Sequence, residues 1–380
     1  MPKPVPILFT IPNFITAGSG RAMLNIIERL DRSKIAPAVA VLKKGGGLDK
    51  EVESLRIPFL EAPFVISAQP YATLLWRAWK AAGPFRVRKF RLWHSFHYAD
   101  DYTEAIIARM AGVRAWVYTK KNMNWGRRSW YLRTLLASLV LAQNSDMKRD
   151  FFDFPLFSRK VRQVPRGVDT HKFHPEVPPR LYLRQHLHIA PESPVAGVVA
   201  HLVPVKGHQT LIAAVAQTPG LHLLIAGKPL DPEYTASLEK LVQSLGIQDR
   251  THFLGGVQDI PALLAEMDIF VLSTVAKGEG CPVALLEAMA CGRACIAPDI
   301  PGARDVLGDG KSGLLVSPEN PASLAAALGQ LALAAEHRRA LGMAARERVL
   351  QCYTIDQEVA AHMSIYGEVI DKYCKGRGSR

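Results

Sequence analysis

Apolar positions along the chain follow two periods in turn. Short runs rich in Val, Ile and Leu, such as "VPILFTIP" (5–12), "APAVAVLK" (36–43) and "VRAWVYTKK" (113–121), read as strands. Between them lie "GRAMLNIIERL" (20–30), "DKEVESLRI" (49–57) and "TEAIIARMAG" (103–112), where apolar residues recur every three to four positions, as on one face of a helix. The aperiodic, proline-bearing segment "DTHKFHPEVPPR" (169–180) interrupts this alternation, which then restarts. Strand "VAGVVAHL" (195–202), helix "HQTLIAAVAQ" (208–217), strand "LHLLIAG" (221–227), helix "YTASLEKLVQSLGI" (234–247), strand "THFLGG" (251–256), helix "IPALLAEM" (260–267) and strand "DIFVLST" (268–274) follow in order. Strands without polar alternation are buried on both faces, as in parallel sheets covered by helices. The pattern therefore predicts an α/β protein of two doubly wound domains facing a cleft. Residues 1–172 form the first, 173–193 a linker and 194–352 the second, and an amphipathic helix, "TIDQEVAAHMSIYGEVIDKYC", lies in the tail 353–380.

Composition agrees with two globular cores. A chain of 380 residues exceeds what one core usually serves, and 48% hydrophobic residues suffice for both. The first residues lack a basic-then-apolar leader, and no apolar run approaches the ~20 residues of a bilayer span, so the expected location is cytoplasmic. The five cysteines are odd in number and outside any paired zinc spacing, and read as reduced thiols. The net charge of +13 is unevenly placed: residues 1–172 hold 29 Lys+Arg against 13 Asp+Glu, whereas residues 173–380 hold 18 against 21. The amino-terminal half is thus expected to meet something anionic, either nucleic acid or an acidic membrane surface.

In open α/β sheets ligands bind beyond the carboxyl ends of the strands, where loops pass into helix amino-termini. One such loop follows "DIFVLST" and reads "KGEGCPVALLEAMACG" (277–292). Its glycines let the backbone approach a ligand, and Pro282 suits a first helical turn, where the missing N–H costs nothing. The free N–H groups beyond it suit a phosphate, although a glycine-bearing loop before a helix serves equally as a turn. Glu287 sharpens the choice. It lies in a helix that is otherwise apolar, and a buried carboxylate is costly unless hydrogen-bonded. A salt bridge would satisfy it; so would a sugar diol, offering two O–H donors to one carboxylate.

The Glu279 and Glu287 pair, with seven residues between them inside "GEGCPVALLEAMACGRACIAPDIPGARDVLGDGKSGLLV", resembles the signature of the retaining GT-B glycosyltransferases of family 4. The resemblance runs through "FLGGVQDIPALLAEMDIFVLST", "VAHLVPVKGHQTL", "VPRGVDTHKFHP", "NSDMKRDF" and "AGSGRAMLNIIERLD", nearly the whole chain. It implies a GT-B fold of two Rossmann-like domains, with a nucleotide-sugar donor on the second, an acceptor on the first, and a last helix crossing back to the first. It further implies that Glu279 meets hydroxyls of the transferred sugar and Glu287 those of the ribose. The N–H groups at Gly280, Cys281 and Pro282's neighbours would meet diphosphate or sugar oxygens. Lys206, beside Gly207, would neutralise the leaving diphosphate. The family usually places Arg and Lys five apart here, whereas this chain has His201 and Lys206, which loses the guanidinium fork. Gly18 and Gly20 resemble the family's amino-terminal glycine loop. The family needs no metal or other cofactor, and no Asp-x-Asp triplet occurs in the sequence.

On the acceptor side, relatives carry a histidine where this chain reads Lys120, Lys121 and Asn122; His94 and His97, ending the preceding strand, are the other candidates. Nearby, "LLWRAWKAAGPFRVRKFRLW" and "WGRRSWYLR" interleave Trp and Phe with Arg and Lys, a composition suited to a lipid–water boundary. No nucleic-acid-binding motif is present. The expected protein is a metal-independent, retaining glycosyltransferase, peripheral on the inner face of the cytoplasmic membrane. Its donor is a UDP-sugar and its acceptor a glycolipid, lipopolysaccharide or polysaccharide. The alternatives are a basic nucleic-acid-binding α/β protein and a GT-B module that binds nucleotide sugar without turnover.

Overall fold

A computed structural model describes residues 3–15, 17–121, 123, 129–179, 181–276 and 279–374. The chain divides into two compact units, one reaching to Arg166 and resuming at Ile355, the other spanning Gly167–Thr354. In the first, strands β1 (Val5–Thr10), β2 (Ile35–Val41), β3 (Phe59–Glu61), β4 (Leu92–Ser95), β5 (Ala115–Lys120), β6 (Leu139–Ala142) and β7 (Val161–Gln163) form a sheet in the order β3-β2-β1-β4-β5-β6-β7. In the second, β8 (Val195–Val199), β9 (His222–Ala226), β10 (Thr251–Gly255), β11 (Ile269–Val271), β12 (Ala294–Pro298) and β13 (Leu314–Val316) follow the order β10-β9-β8-β11-β12-β13. All strand pairs are parallel, and helices cover both faces of each sheet. Both units are Rossmann-like.

The two-residue period of a strand assigns alternate side chains to two cores. Ile7, Phe9, Val117 and Leu141 enter one core of the first unit, while Leu8, Trp116, Tyr118 and Val140 enter the other. In the second unit Leu224, Phe270 and Cys295 point one way, and Leu223, Ile225, Ile269 and Ile296 the other. Helix starts carry their own signals. Asn144 accepts from Met147 N at 2.7 Å, and Asp231 from Tyr234 N at 3.0 Å with Pro232 in the first turn.

The final helix, Ile355–Cys374, packs on the first unit, placing Ile365, Tyr366 and Val369 in the core of Phe9 and Val117. Residues 173–193, expected as a linker, instead belong to the second unit. Phe173 and Ile189 are buried in its core, and Arg184 pairs with Asp268 at 2.8 Å. The apolar residues of this proline-rich segment are too sparse to show a period, yet Leu181, Leu183 and Leu187 also pack against that core. Among the described residues no helix is long and apolar enough to cross a membrane.

Candidate active site

In the second unit the strand order reverses between β8 and β11, which lie side by side. Such a switch point leaves a crevice at the carboxyl ends of the strands. The loop after β8 carries His201 and Lys206; the loop after β11 carries Thr274 and Glu279. These loops are fastened to each other. Ser273 Oγ donates to the Lys206 carbonyl at 2.8 Å, and Val275 N to the Val205 carbonyl at 3.1 Å. Lys206 Nζ donates to Glu279 Oε1, and Thr274 Oγ1 donates to the same oxygen at 3.2 Å. Both members of the pair keep an open side, with side-chain exposures of 25% and 15%.

Gly207 makes this close approach possible. Its φ is +65°, and a Cβ there would lie 2.1 Å from the Ser273 carbonyl oxygen. Gly207→Ala is therefore expected to cost at least about 1–2 kcal/mol through the left-handed backbone alone, and to displace Lys206. Denaturant unfolding would measure the loss; an unchanged midpoint would show that the loop relaxes freely.

His201 sits among cations. Burial lowers its pKa, with Lys206 and Lys228 adding to the effect, and its Nδ1 is buried without a partner among the described residues. The shift favours the neutral imidazole, whose Nδ1 has hydrogen-bonding capacity to spare.

Pro282 caps the helix Val283–Ala290, with extended φ/ψ of −78° and 98°. Among the described residues no side chain caps this end, and the first N–H groups of the helix are open to an acceptor. Gly280 and Cys281 are buried beneath it. One turn on, Glu287 keeps part of its surface accessible and meets no protein hydrogen-bond donor among the described residues. Burial pushes its carboxyl up to about 7, with Lys172 opposing. The carboxyl lies in a recess, close enough to solvent for a ligand to reach.

That recess has a measurable consequence. The folded carboxyl keeps its proton to about pH 7, whereas the unfolded chain releases it near the usual 4.5. The folded state thus binds the extra proton across this window, and the group's contribution to stability falls as pH rises through it. Glu287→Gln removes this dependence. Relative to wild type, the variant should gain on the order of 2–3 kcal/mol between pH 4 and pH 8, read from denaturant unfolding at each pH. A difference independent of pH would contradict the recess.

The other expected site residues are distributed differently. Gly18 and Gly20 lie in the first turn of the helix Ala17–Arg29 rather than in a loop before it. Gly20 is buried, and a Cβ there would come within 2.6 Å of the Phe14 ring, so packing alone requires it. Gly18 faces open space. The acceptor-side set is largely structural. His94 is fully buried, with Nδ1 2.8 Å from Tyr366 Oη and Nε2 2.8 Å from Thr119 Oγ1. Lys120 is 1% exposed and stands 4.1 Å over the Phe151 ring; burial lowers its pKa to about 7, with Arg133 adding and Asp100 opposing. Lys121 Nζ donates to the Phe96 carbonyl. Asn122 lies outside the described residues. His97 keeps free capacity: its Nδ1 is buried and unpartnered among the described residues, and burial, then Arg133 and Lys121, lowers its pKa to about 3.

Thr274 was not anticipated, although the polar end of "FVLST" was its signal. Nor was the network at the switch point of the first unit, between β1 and β4. Glu104 accepts there from Thr10 Oγ1 at 2.5 Å, Trp93 Nε1 at 3.0 Å and Ser95 Oγ at 2.6 Å, with Arg133 Nη2 3.7 Å away. Neither charged side chain has any exposure.

Residues 16–172 match glycosyltransferase family 4, and residues 181–348 match glycosyl transferases group 1. A GDP-mannose-dependent α-(1-6)-phosphatidylinositol monomannoside mannosyltransferase of Mycobacterium tuberculosis is 32% identical over 200 residues, 50% of this chain and 51% of that protein. The chain thus spans about half the length of that relative. Among solved structures, a glycosyltransferase from Rickettsia africae superposes with a TM-score of 0.86 at 19% identity, covering 99% of this chain and 100% of that one. Anabaena HepE in complex with UDP and glucose superposes with a TM-score of 0.81 at 21% identity, covering 96% and 100%. With matches in both halves, a pair of Rossmann-like units and the Glu279–Glu287 spacing in the loop and helix after β11, the chain belongs to the glycosyltransferases of family 4, of the GT-B class.

Proposed function

We propose that this protein is a retaining glycosyltransferase that moves a sugar from a nucleoside-diphosphate donor, a UDP-sugar, to a hydroxyl of a glycolipid, lipopolysaccharide or polysaccharide acceptor at the inner face of the cytoplasmic membrane. The observation that carries this reading is the Lys206–Glu279 pair at the switch point, beside a helix amino-end with open N–H groups. A diphosphate at that end accepts from the N–H groups and from Lys206, which turns from Glu279 toward the larger charge. Glu279 then accepts from hydroxyls of the sugar, held in place by Thr274. Glu287 accepts from the ribose diol, for which it has no competing protein donor among the described residues.

In the proposed reaction the bond between the anomeric carbon and the donor phosphate breaks. The acceptor oxygen bonds to that carbon from the same face, and its proton passes to the departing phosphate. Lys206 and the helix N–H groups stabilise the charge that gathers there, and no metal is required.

A second donor has a specific observation behind it: the Mycobacterium tuberculosis relative is named as GDP-mannose-dependent. A thermal-shift series of UDP-glucose, UDP-galactose, GDP-mannose, ADP-glucose and CDP-sugars separates the two. The true donor at ~100 times its dissociation constant should stabilise the protein by ~2.7 kcal/mol. Stabilisation by none of them would overturn the reading. Slow donor hydrolysis, lost in Glu279→Gln, distinguishes turnover from binding alone.

A further inference from the structure

Residues 62–99 contain no Asp or Glu, and among them stand Arg77, Lys80, Arg86, Arg88, Lys89 and Arg91. None of these six cations forms an ion pair among the described residues. The helix Leu74–Ala81 in this segment buries Leu74, Ala78 and Ala81, one stripe at helical spacing. Its other face carries Leu75, Trp76 and Trp79, which are 61%, 60% and 54% exposed, flanked by Tyr71 and Val87 at 65% and 84%. Large apolar groups gathered on one exposed face mark an interaction surface. The cations are interleaved with the rings rather than set apart from them. Lys80 Nζ lies 4.9 Å over the Trp76 ring and Arg86 Cζ 4.3 Å over that of Trp79.

We infer that this face, Tyr71 to Arg91, docks the first unit on a bilayer surface rich in anionic headgroups, with Leu75, Trp76 and Trp79 entering the headgroup boundary. Indole rings favour that depth, and an uncompensated row of cations is attracted to anionic lipid and screened by salt. A nucleic acid would also meet the cations, but bases stack on ring faces. One face of each indole here is already covered by the protein's own cation. A protein partner would have to be strongly acidic and offer an apolar socket for two tryptophans, whereas a membrane supplies both properties over any area. The inference builds on the lipid-linked acceptor proposed above, yet it is measured without donor or acceptor.

The test is co-sedimentation of the full chain with vesicles of phosphatidylcholine alone and with one third phosphatidylglycerol, at low and high salt. Binding should favour the anionic vesicles by at least about tenfold and weaken with salt. The W76S/W79S variant should lose at least about tenfold, along with the blue shift of tryptophan fluorescence on binding. The R88E/K89E variant, which leaves the indoles untouched, should lose the preference for anionic lipid. Both variants should keep the wild-type donor thermal shift, which certifies their fold. If that shift is absent in wild type while vesicle binding persists, the donor assignment fails and the docking face stands. Equal vesicle binding by wild type and both variants overturns the inference. So does tighter binding to a single-stranded oligonucleotide than to anionic vesicles at the same salt. A dimer that W76S/W79S dissolves, with no vesicle binding by wild type, also overturns it.

Discussion

Lys206→Ala is expected to slow sugar transfer by about 10²- to 10³-fold, the loss typical when one donor to a developing oxyanion is removed. The loop that carries the ammonium is set before the donor arrives: Ser273 and Val275 hold it, Gly207 shapes its backbone, and only the Lys206 side chain has to swing from Glu279 to the diphosphate. Little reorganisation is left for the moment when charge collects on the leaving phosphate. Removal also leaves Glu279 half-buried without its counter-ion, so the carboxylate proposed to face the sugar is oriented by Thr274 but no longer by Lys206. The effect should separate ligands: binding of the nucleoside diphosphate should weaken far more than binding of the nucleoside. Lys206→Arg should restore part of the diphosphate binding. Equal weakening for both ligands would show that the lysine only shapes the loop.

Glu104→Ala should destabilise the first unit by about 3–5 kcal/mol, because it leaves the Arg133 guanidinium buried without a counter-charge. Thr10 and Ser95 lose the acceptor of their hydroxyls at once, and Trp93 Nε1 keeps only Thr10 Oγ1 at 3.0 Å. Burial raises the Glu104 pKa, and Arg133 with the three donors opposes that rise. Arg133 spans the site: its guanidinium lies 5.1 Å over the Trp116 ring and 4.7 Å over Tyr118, and donates to the carbonyls of Asp101 and His97. A double change of Glu104 and Arg133 to apolar residues should cost less than the sum of the single changes. Urea unfolding should be followed by probes in each unit, since two units need not unfold together. A loss below about 1 kcal/mol for Glu104→Ala would mean that the network is dispensable.

The sequence revealed elements better than directions. Runs such as "VPILFTIP" and "LHLLIAG" read as strands, because a strand covered on both faces is apolar along nearly its whole length. Glu287 was equally conspicuous, since a carboxylate in an otherwise apolar helix demands a partner. What the sequence did not show was which way a side chain turns at the end of a strand. His94 and Lys120 close strands whose neighbouring loops suit a site, yet both turn into the protein, toward Tyr366 and Phe151. Those partners are distant in sequence and leave no periodic trace. The Lys206–Glu279 pair was hidden for the same reason. Each residue was read as facing a ligand, and their contact depends on the adjacency of β8 and β11, which is a property of sheet order.

The return of the last helix to the first unit also sets an order of events during synthesis. His94 and Tyr366 are hydrogen-bonded across 272 positions of sequence, and the whole second unit lies between the strands of the first and the helix that completes its core. At about 5–20 residues per second, on the order of 10–40 seconds pass between release of Arg166 and release of the closing helix. Through that interval Phe9 and Val117 lack their cover, while the second unit has all of its own chain in hand. The half that begins first is finished last, and a nascent chain halted before Ile355 exposes an apolar sheet face to whatever chaperone or membrane is near.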